Sequence, residues 1–212
     1  MPRQTDLLDE FGEKPSTRSG PPYSIIYADP PWKYRDEANA GERGAVYKYE
    51  VMSFDEIKDL PVGDIADENC ALFLWVTAPL LPECLPVVGA WGFEYKTVAF
   101  TWVKYNSETK KFAFGGGAYT RANPEFCVLG LRGKLARKDN AVRSEVLDRR
   151  REHSTKPDIV RSRIVRLFGD LPRIELFARK RVEGWDGCGD DLEYAEVKLV
   201  DKRRFVWTRV RR

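Results

Sequence analysis

The chain has 212 residues, 42% hydrophobic and 33% charged, with a formal net charge of +3. That length suits one domain with a substantial core; no run is apolar enough to span a membrane, and the polar start, Met1 to Gly20, has no signal-peptide hydrophobic segment. The cysteines, Cys70, Cys84, Cys127 and Cys188, form no C-x-x-C pair, so buried thiols of a reducing cytoplasm are expected rather than disulfides or a metal site.

Residues 1–22 mix Gly, Pro, Ser and charges and read as a flexible lead-in to a single domain over 23–212. Tyr23 to Ala28 is nearly continuously apolar, the pattern of a buried parallel strand. Pro30 and Pro31 cannot donate ladder hydrogen bonds, so this strand ends at Asp29. In open α/β sheets, ligands bind beyond the carboxyl ends of strands. The turn Asp29-Pro30-Pro31-Trp32 offers acceptors, almost no donors and one flat ring. Such a set would hold a planar group carrying an amine, the ring against Trp32 and the N–H groups toward Asp29 and the Pro30 carbonyl. The same residues also suit an ordinary strand-end turn with a carboxylate at its mouth.

Lys33 to Tyr49 has no clear period and reads as a long loop beside that turn. Ser53 and Glu56 make a capping-box pattern, predicting a short helix through Leu60 that Pro61 stops. Cys70 to Thr77 reads as a second buried strand, Pro79 to Trp91 as a helix, and Phe93 to Lys104 as a further strand. After the glycine-rich Gly115-Gly116-Gly117, Phe126 to Leu131 is another strand. Arg132 to Arg151 is the most basic region, either a solvated surface loop or a phosphate-contacting one. Ser154 or Thr155 is placed to cap a helix with Pro157 in its first turn and Val160, Ile164, Leu167 and Phe168 on one face. Lys156 then sits where a helix start already favours an anion. Arg173 to Arg179 reads as a strand ending at a sheet mouth, and the basic tail, Val197 to Val210, as a terminal hairpin.

Several of these stretches together resemble the MT-A70 family of S-adenosylmethionine-dependent methyltransferases. They are Asp29-Pro30-Pro31-Trp32 within Tyr27 to Tyr34, Gly117-Ala118-Tyr119-Thr120-Arg121 with Glu125, Gly130 and Arg132-Gly133, His153-Ser154-Thr155-Lys156-Pro157-Asp158, and Glu175-Leu176-Phe177-Ala178-Arg179. The likeness implies an α/β, Rossmann-like methyltransferase fold: a mostly parallel sheet covered by helices on both faces, in permuted order, catalytic motif first and cofactor strand last. It implies methyl transfer from S-adenosylmethionine to the N6 amine of adenine. Asp29, Pro30, Pro31 and Trp32 would be catalytic. Lys156 would grip the carboxylate of the cofactor's methionine part, and Asp29, Phe177 and Arg179 would line the rest of its site. Asp190 and Asp191 stand where the family more usually has Asn with Glu or Gln; they would accept from ribose hydroxyls. His153, the only histidine, is given a structural role, because direct methyl transfer needs no base at the attack step.

Lys33, Tyr34, Arg121, Arg149, Arg150 and Arg151 are the expected contacts to nucleic acid. The family includes members acting on RNA as well as DNA, and a catalytically silent partner subunit is a further alternative. The compact chain, with no recognisable RNA module, favours DNA. Adenine would reach the site from a single strand or flipped out of a duplex.

Overall fold

The computed structural model describes residues 22–33, 51–115, 119–150 and 155–208. Residues 1–21 of the expected lead-in, Tyr34 and most of the loop after Lys33, Arg151, His153 and Ser154 lie outside the described residues.

Strand β1, Tyr23–Ala28, is buried along its whole length. It runs parallel to β2, Ala66–Thr77, on one side and to β6, Arg173–Leu176, on the other. A strand sandwiched this way meets no solvent on either face, which is why its sequence is continuously apolar rather than alternating. With β3 (Glu94–Tyr105), β4 (Glu125–Arg132), β5 (Glu145–Arg149) and β7 (Asp186–Cys188) it builds a seven-stranded sheet in the order β5-β3-β4-β2-β1-β6-β7. Only β4 runs against its neighbours; every other pairing is parallel.

Helices cover both faces, as expected. Ile57 of α1 (Phe54–Lys58), Val62 of α2 (Val62–Ile65) and Val88 of α3 (Leu81–Ala90) pack with Ile26 and Leu72 on one face. Val160, Ile164 and Phe168 of α4 (Asp158–Phe168) pack with Tyr27, Phe73 and Trp75 on the other. Among the described residues, no helix is long and apolar enough to cross a membrane.

The capping box closes as expected, with the Glu56 N–H donating to Ser53 Oγ at 3.2 Å and the Ser53 N–H to Glu56 Oε2 at 2.8 Å. Three local expectations need correction. The helix expected from Pro79 opens with a 3₁₀ turn, Ala78–Leu80, before α3 begins at Leu81. The basic stretch expected as a loop contains β5, an edge strand held by its parallel ladder to β3, with Val146 its only buried residue. A strand made by pairing rather than by a buried face leaves little apolar pattern to read. Helix α4 starts with Pro157 in the N-cap position and no side-chain cap, not with a Ser or Thr cap. The terminal hairpin forms as expected, β8 Val197–Val200 with β9 Arg204–Trp207; Phe205 and Trp207 pack against the core on the α1–α3 side, and Lys202 pairs with Glu56 at 3.1 Å.

Candidate active site

Because β1, β2, β3, β6 and β7 run the same way, their carboxyl ends share one edge of the sheet. The reversed strand β4 begins at that same edge, where Glu125 pairs in register with Thr77 on one side and Trp102 on the other. Lys104 follows Trp102 by two and so faces the same side as Glu125. Lys156 enters from the segment just before α4. Four charged residues from four places in the chain therefore meet at one end of the sheet.

Lys156 Nζ donates to Asp29 Oδ2 at 2.6 Å and lies 3.2 Å from Glu125 Oε2. Lys104 Nζ donates to the other Glu125 oxygen, Oε1. The Lys156 ammonium also sits 5.6 Å above the centre of the Trp75 ring, and Lys104 4.9 Å above that of Trp102. Lys156 is only 7% exposed, so its charge is held by partners rather than by water. Asp29 remains partly open.

Burial and charge compete here in a definite order. Burial pushes the Asp29 carboxyl up; Lys156 pulls it down, the neighbouring Glu125 carboxylate pushes it up again, and the net shift is upward. Burial also pushes Glu125 up, but its two lysines more than offset that, so it ends below its ordinary range. Burial lowers Lys156, and Asp29 and Glu125 overcome it, leaving the ammonium above its ordinary value. The signs follow by linkage. Glu125 contributes stability above its unfolded value of 4.5 that is lost as pH falls, and Lys156 contributes stability below 10.5 that is lost as pH rises.

The turn after Asp29 is pinned by its neighbours. The Trp32 N–H donates to the Pro30 carbonyl and the Met52 N–H to the Pro31 carbonyl, each at 2.9 Å. One lone pair of each carbonyl is thereby used and one remains. The open ring expected of Trp32 needs correction. Its indole is 7% exposed, leans on Phe54 at 5.6 Å between ring centres, and donates Nε1–H to the Trp75 carbonyl at 2.8 Å. Trp75 in turn donates to the Tyr27 hydroxyl at 2.7 Å. Trp32 is thus held by packing and a hydrogen bond, with little of its ring left open.

The ends of β6 and β7 cross closely. A Cβ on Gly189 would overlap the carbonyl oxygen of Ala178, so only glycine permits the approach. This puts Phe177 to Arg179 beside the segment that carries Asp190 and Asp191, which are both exposed. Phe177 itself holds a positive φ of 60°, a conformation that costs a bulky residue about 1–3 kcal/mol and is concentrated at functional sites. Arg179 lies near enough to Asp29 to lower its pKa. Lys33, Arg121, Arg149 and Arg150 are all exposed.

Sequence reasoning did not single out Lys104 as a site residue and gave Glu125 no role. The signal for Glu125 was a carboxylate heading an apolar strand. It also missed a second buried pair: Arg161 Nε donates to Glu175 Oε2 at 2.7 Å and Nη2 to Oε1 at 2.6 Å, tying α4 to β6. Among the described residues no cluster of His, Cys, Asp or Glu is arranged to hold a metal ion.

A family model described as MT-A70 matches residues 23–191. Type II methyltransferase M.MunI of a Mycoplasma species is 33% identical over 195 residues, 84% of this chain and 81% of that protein. A putative N(6)-adenosine-methyltransferase MT-A70-like protein of Medicago truncatula is 30% identical over 204 residues, 93% of this chain but 28% of that protein. The human N(6)-adenosine-methyltransferase catalytic subunit METTL3 is 27% identical over 183 residues, 84% of this chain and 29% of that protein. The chain thus spans most of the first relative's length and less than a third of the plant and human ones.

Proposed function

The chain belongs to the MT-A70 family of methyltransferases, and from that premise we propose that it transfers a methyl group from S-adenosylmethionine to the N6 amine of adenine in DNA. The observation that carries this reading is Asp29 at the carboxyl end of the interior strand β1, partly open and held by the buried Lys156.

The chemistry of the donor set suits the cofactor. Its aminoacyl end needs a cation for the carboxylate, which Lys156 and Arg179 offer. Its ribose needs acceptors, which Asp190 and Asp191 offer beside the close approach of Gly189 to Ala178. Bound there, S-adenosylmethionine supplies an electrophilic methyl group. The chain's own part is to orient the amine. Asp29 accepts one N–H and the remaining lone pair of the Pro30 carbonyl the other, while Trp32 walls the pocket. Such acceptors act as charge develops on nitrogen, a contribution made in the transition state. Lys156 keeps the Asp29 carboxylate in place and opposes the burial that would protonate it.

What favours DNA is the match along most of the length of a type II methyltransferase; the adenosine methyltransferases are matched only in a fraction of theirs. Incubation with labelled cofactor and duplex DNA, single-stranded DNA, duplex RNA or single-stranded RNA, followed by nucleoside analysis, tests the proposal. N6-methyladenine in a DNA arm is the expected product. Label only in the RNA arms would transfer the assignment to RNA, and label in none would leave a silent family member.

A further inference from the structure

We propose that a second surface, formed by the hairpin after β3 together with the end of β5, holds the nucleic-acid strand that flanks the target base, by stacking bases on Phe112 and Phe114 and pairing phosphates with Lys110, Lys111, Arg149 and Arg150. This inference rests on the proposed methyl transfer to nucleic acid.

The hairpin is tied down by its own hydrogen bonds. Asn106 Oδ1 accepts from the Glu108 and Thr109 N–H groups, both at 2.9 Å, and Lys110 takes a left-handed φ of 57° at the tip. The Asn106 N–H donates to Lys111 O at 2.8 Å and the Ala113 N–H to Lys104 O at 2.9 Å. The Asn123 side chain locks the arms together: it accepts from the Lys104 N–H at 2.7 Å, donates to Lys104 O at 2.8 Å, and donates to Ala113 O. Yet this well-bonded hairpin leaves Phe112 58% and Phe114 65% exposed. Two phenylalanines displayed on an ordered backbone have no packing reason to be there; an exposed apolar patch of this kind marks an interaction site.

Register shows what the patch adjoins. Phe112 bridges Tyr105, and Tyr105 pairs with Arg149 of β5. Residues side by side in a sheet point to the same face, and those two apart along a strand do so again. Phe112, Tyr105 and Arg149 therefore form a row, with the 65% exposed Leu147 on the same face and the exposed Phe114 two residues beyond Phe112. Trp102 is buried against α4's side, so the row looks out on the opposite face, beyond the area that α1–α3 cover.

Charge names the occupant. Lys110, Lys111, Arg149 and Arg150 are exposed, and among the described residues none of them has an ion-pair partner. Aromatic rings among unpaired cations are the recognition chemistry of a single strand: rings take bases of any sequence and cations take the backbone. The hairpin leaves the same carboxyl end of the sheet at which Asp29 stands, so a strand lying on it leads toward that site.

The test is fluorescence anisotropy of a short labelled single-stranded DNA carrying one adenine, titrated with the full chain at several salt concentrations. Phe112→Ala with Phe114→Ala is expected to weaken binding roughly ten-fold or more without changing the salt slope. Phe112→Trp with Phe114→Trp should retain it. Arg149→Ala with Arg150→Ala should reduce the slope of log K against log salt by about 1.4, two contacts at about 0.7 each. Unchanged affinity in a folded Phe-to-Ala pair overturns the proposal. So does a wild-type dimer that this pair converts to monomer while strand affinity holds, because the face would then belong to a second copy. The two readings fail separately. Strand binding lost in the variant while the wild type methylates nothing would keep this surface and remove the methyl-transfer reading. Methylation with strand binding unchanged in the variant would do the reverse.

Discussion

Two buried ion pairs lie on the same side of the sheet, and they differ in what they leave over. Arg161 and Glu175 meet fork to fork, both carboxylate oxygens engaged, and a third guanidinium N–H reaches Asp158 at 2.9 Å. That pair is closed in on itself, and its guanidinium also covers the Tyr27 ring at 5.5 Å. Asp29 and Lys156 meet through a single oxygen, and Lys156 is shared with Glu125. The first arrangement can do nothing but hold α4 against β6. The second is held just as firmly, but its carboxylate stays partly open at the sheet edge. What separates the two carboxylates is access: Glu175 is buried among its partners, whereas Asp29 keeps part of its surface open for a further donor.

The enclosed pair should therefore show itself in stability. Glu175→Ala strands the Arg161 charge in the core and is expected to cost about 3–5 kcal/mol, read from urea unfolding. Arg161→Met combined with Glu175→Leu should recover much of that loss, since apolar replacements of similar volume are often neutral. A single variant as stable as the wild type would end the distinction drawn between the two pairs.

The open pair should show itself in rate. Asp29→Asn keeps the shape and leaves Lys156 its Glu125 partner, so the fold should hold while methyl transfer falls by about 10²–10³. Comparing kcat with the melting temperature separates the effects. A variant that melts early and keeps the activity of its folded fraction would make Asp29 another structural charge.

How much of this was legible in sequence follows from how local each feature is. Asp29 was legible because a continuous apolar run ending in two prolines specifies both a strand and its stop. Lys156 was legible as a cation at a helix start, its cofactor role only by likeness, and its contact with Asp29, 127 positions away, not at all. Glu125 gained its place because β4 runs backward, and nothing in its own residues shows direction. Trp32 was read as an open ring because its cover, Phe54 and the Trp75 carbonyl, arrives from other elements. Strand β5 escaped notice because one buried valine gives no period.

The smallest effect is also the sharpest test of why Lys156 is there. If it only binds the cofactor, Lys156→Met should weaken cofactor affinity by roughly 1.5–3 kcal/mol, measured by calorimetry, and leave the pH dependence of kcat at saturating cofactor alone. If it also holds Asp29 ionised, a further change follows. Burial and Glu125 already push the Asp29 carboxyl up, and Lys156 is the main group pulling it down. Removing that cation raises the carboxyl further. The acceptor is the ionised form, which is lost as pH falls through its pKa, so the acid limb of kcat should move to higher pH. Lys156→Arg keeps the charge and should leave the limb where the wild type has it. An acid limb that stays in place for both variants would reduce Lys156 to a cofactor ligand and detach the charge of Asp29 from its neighbours.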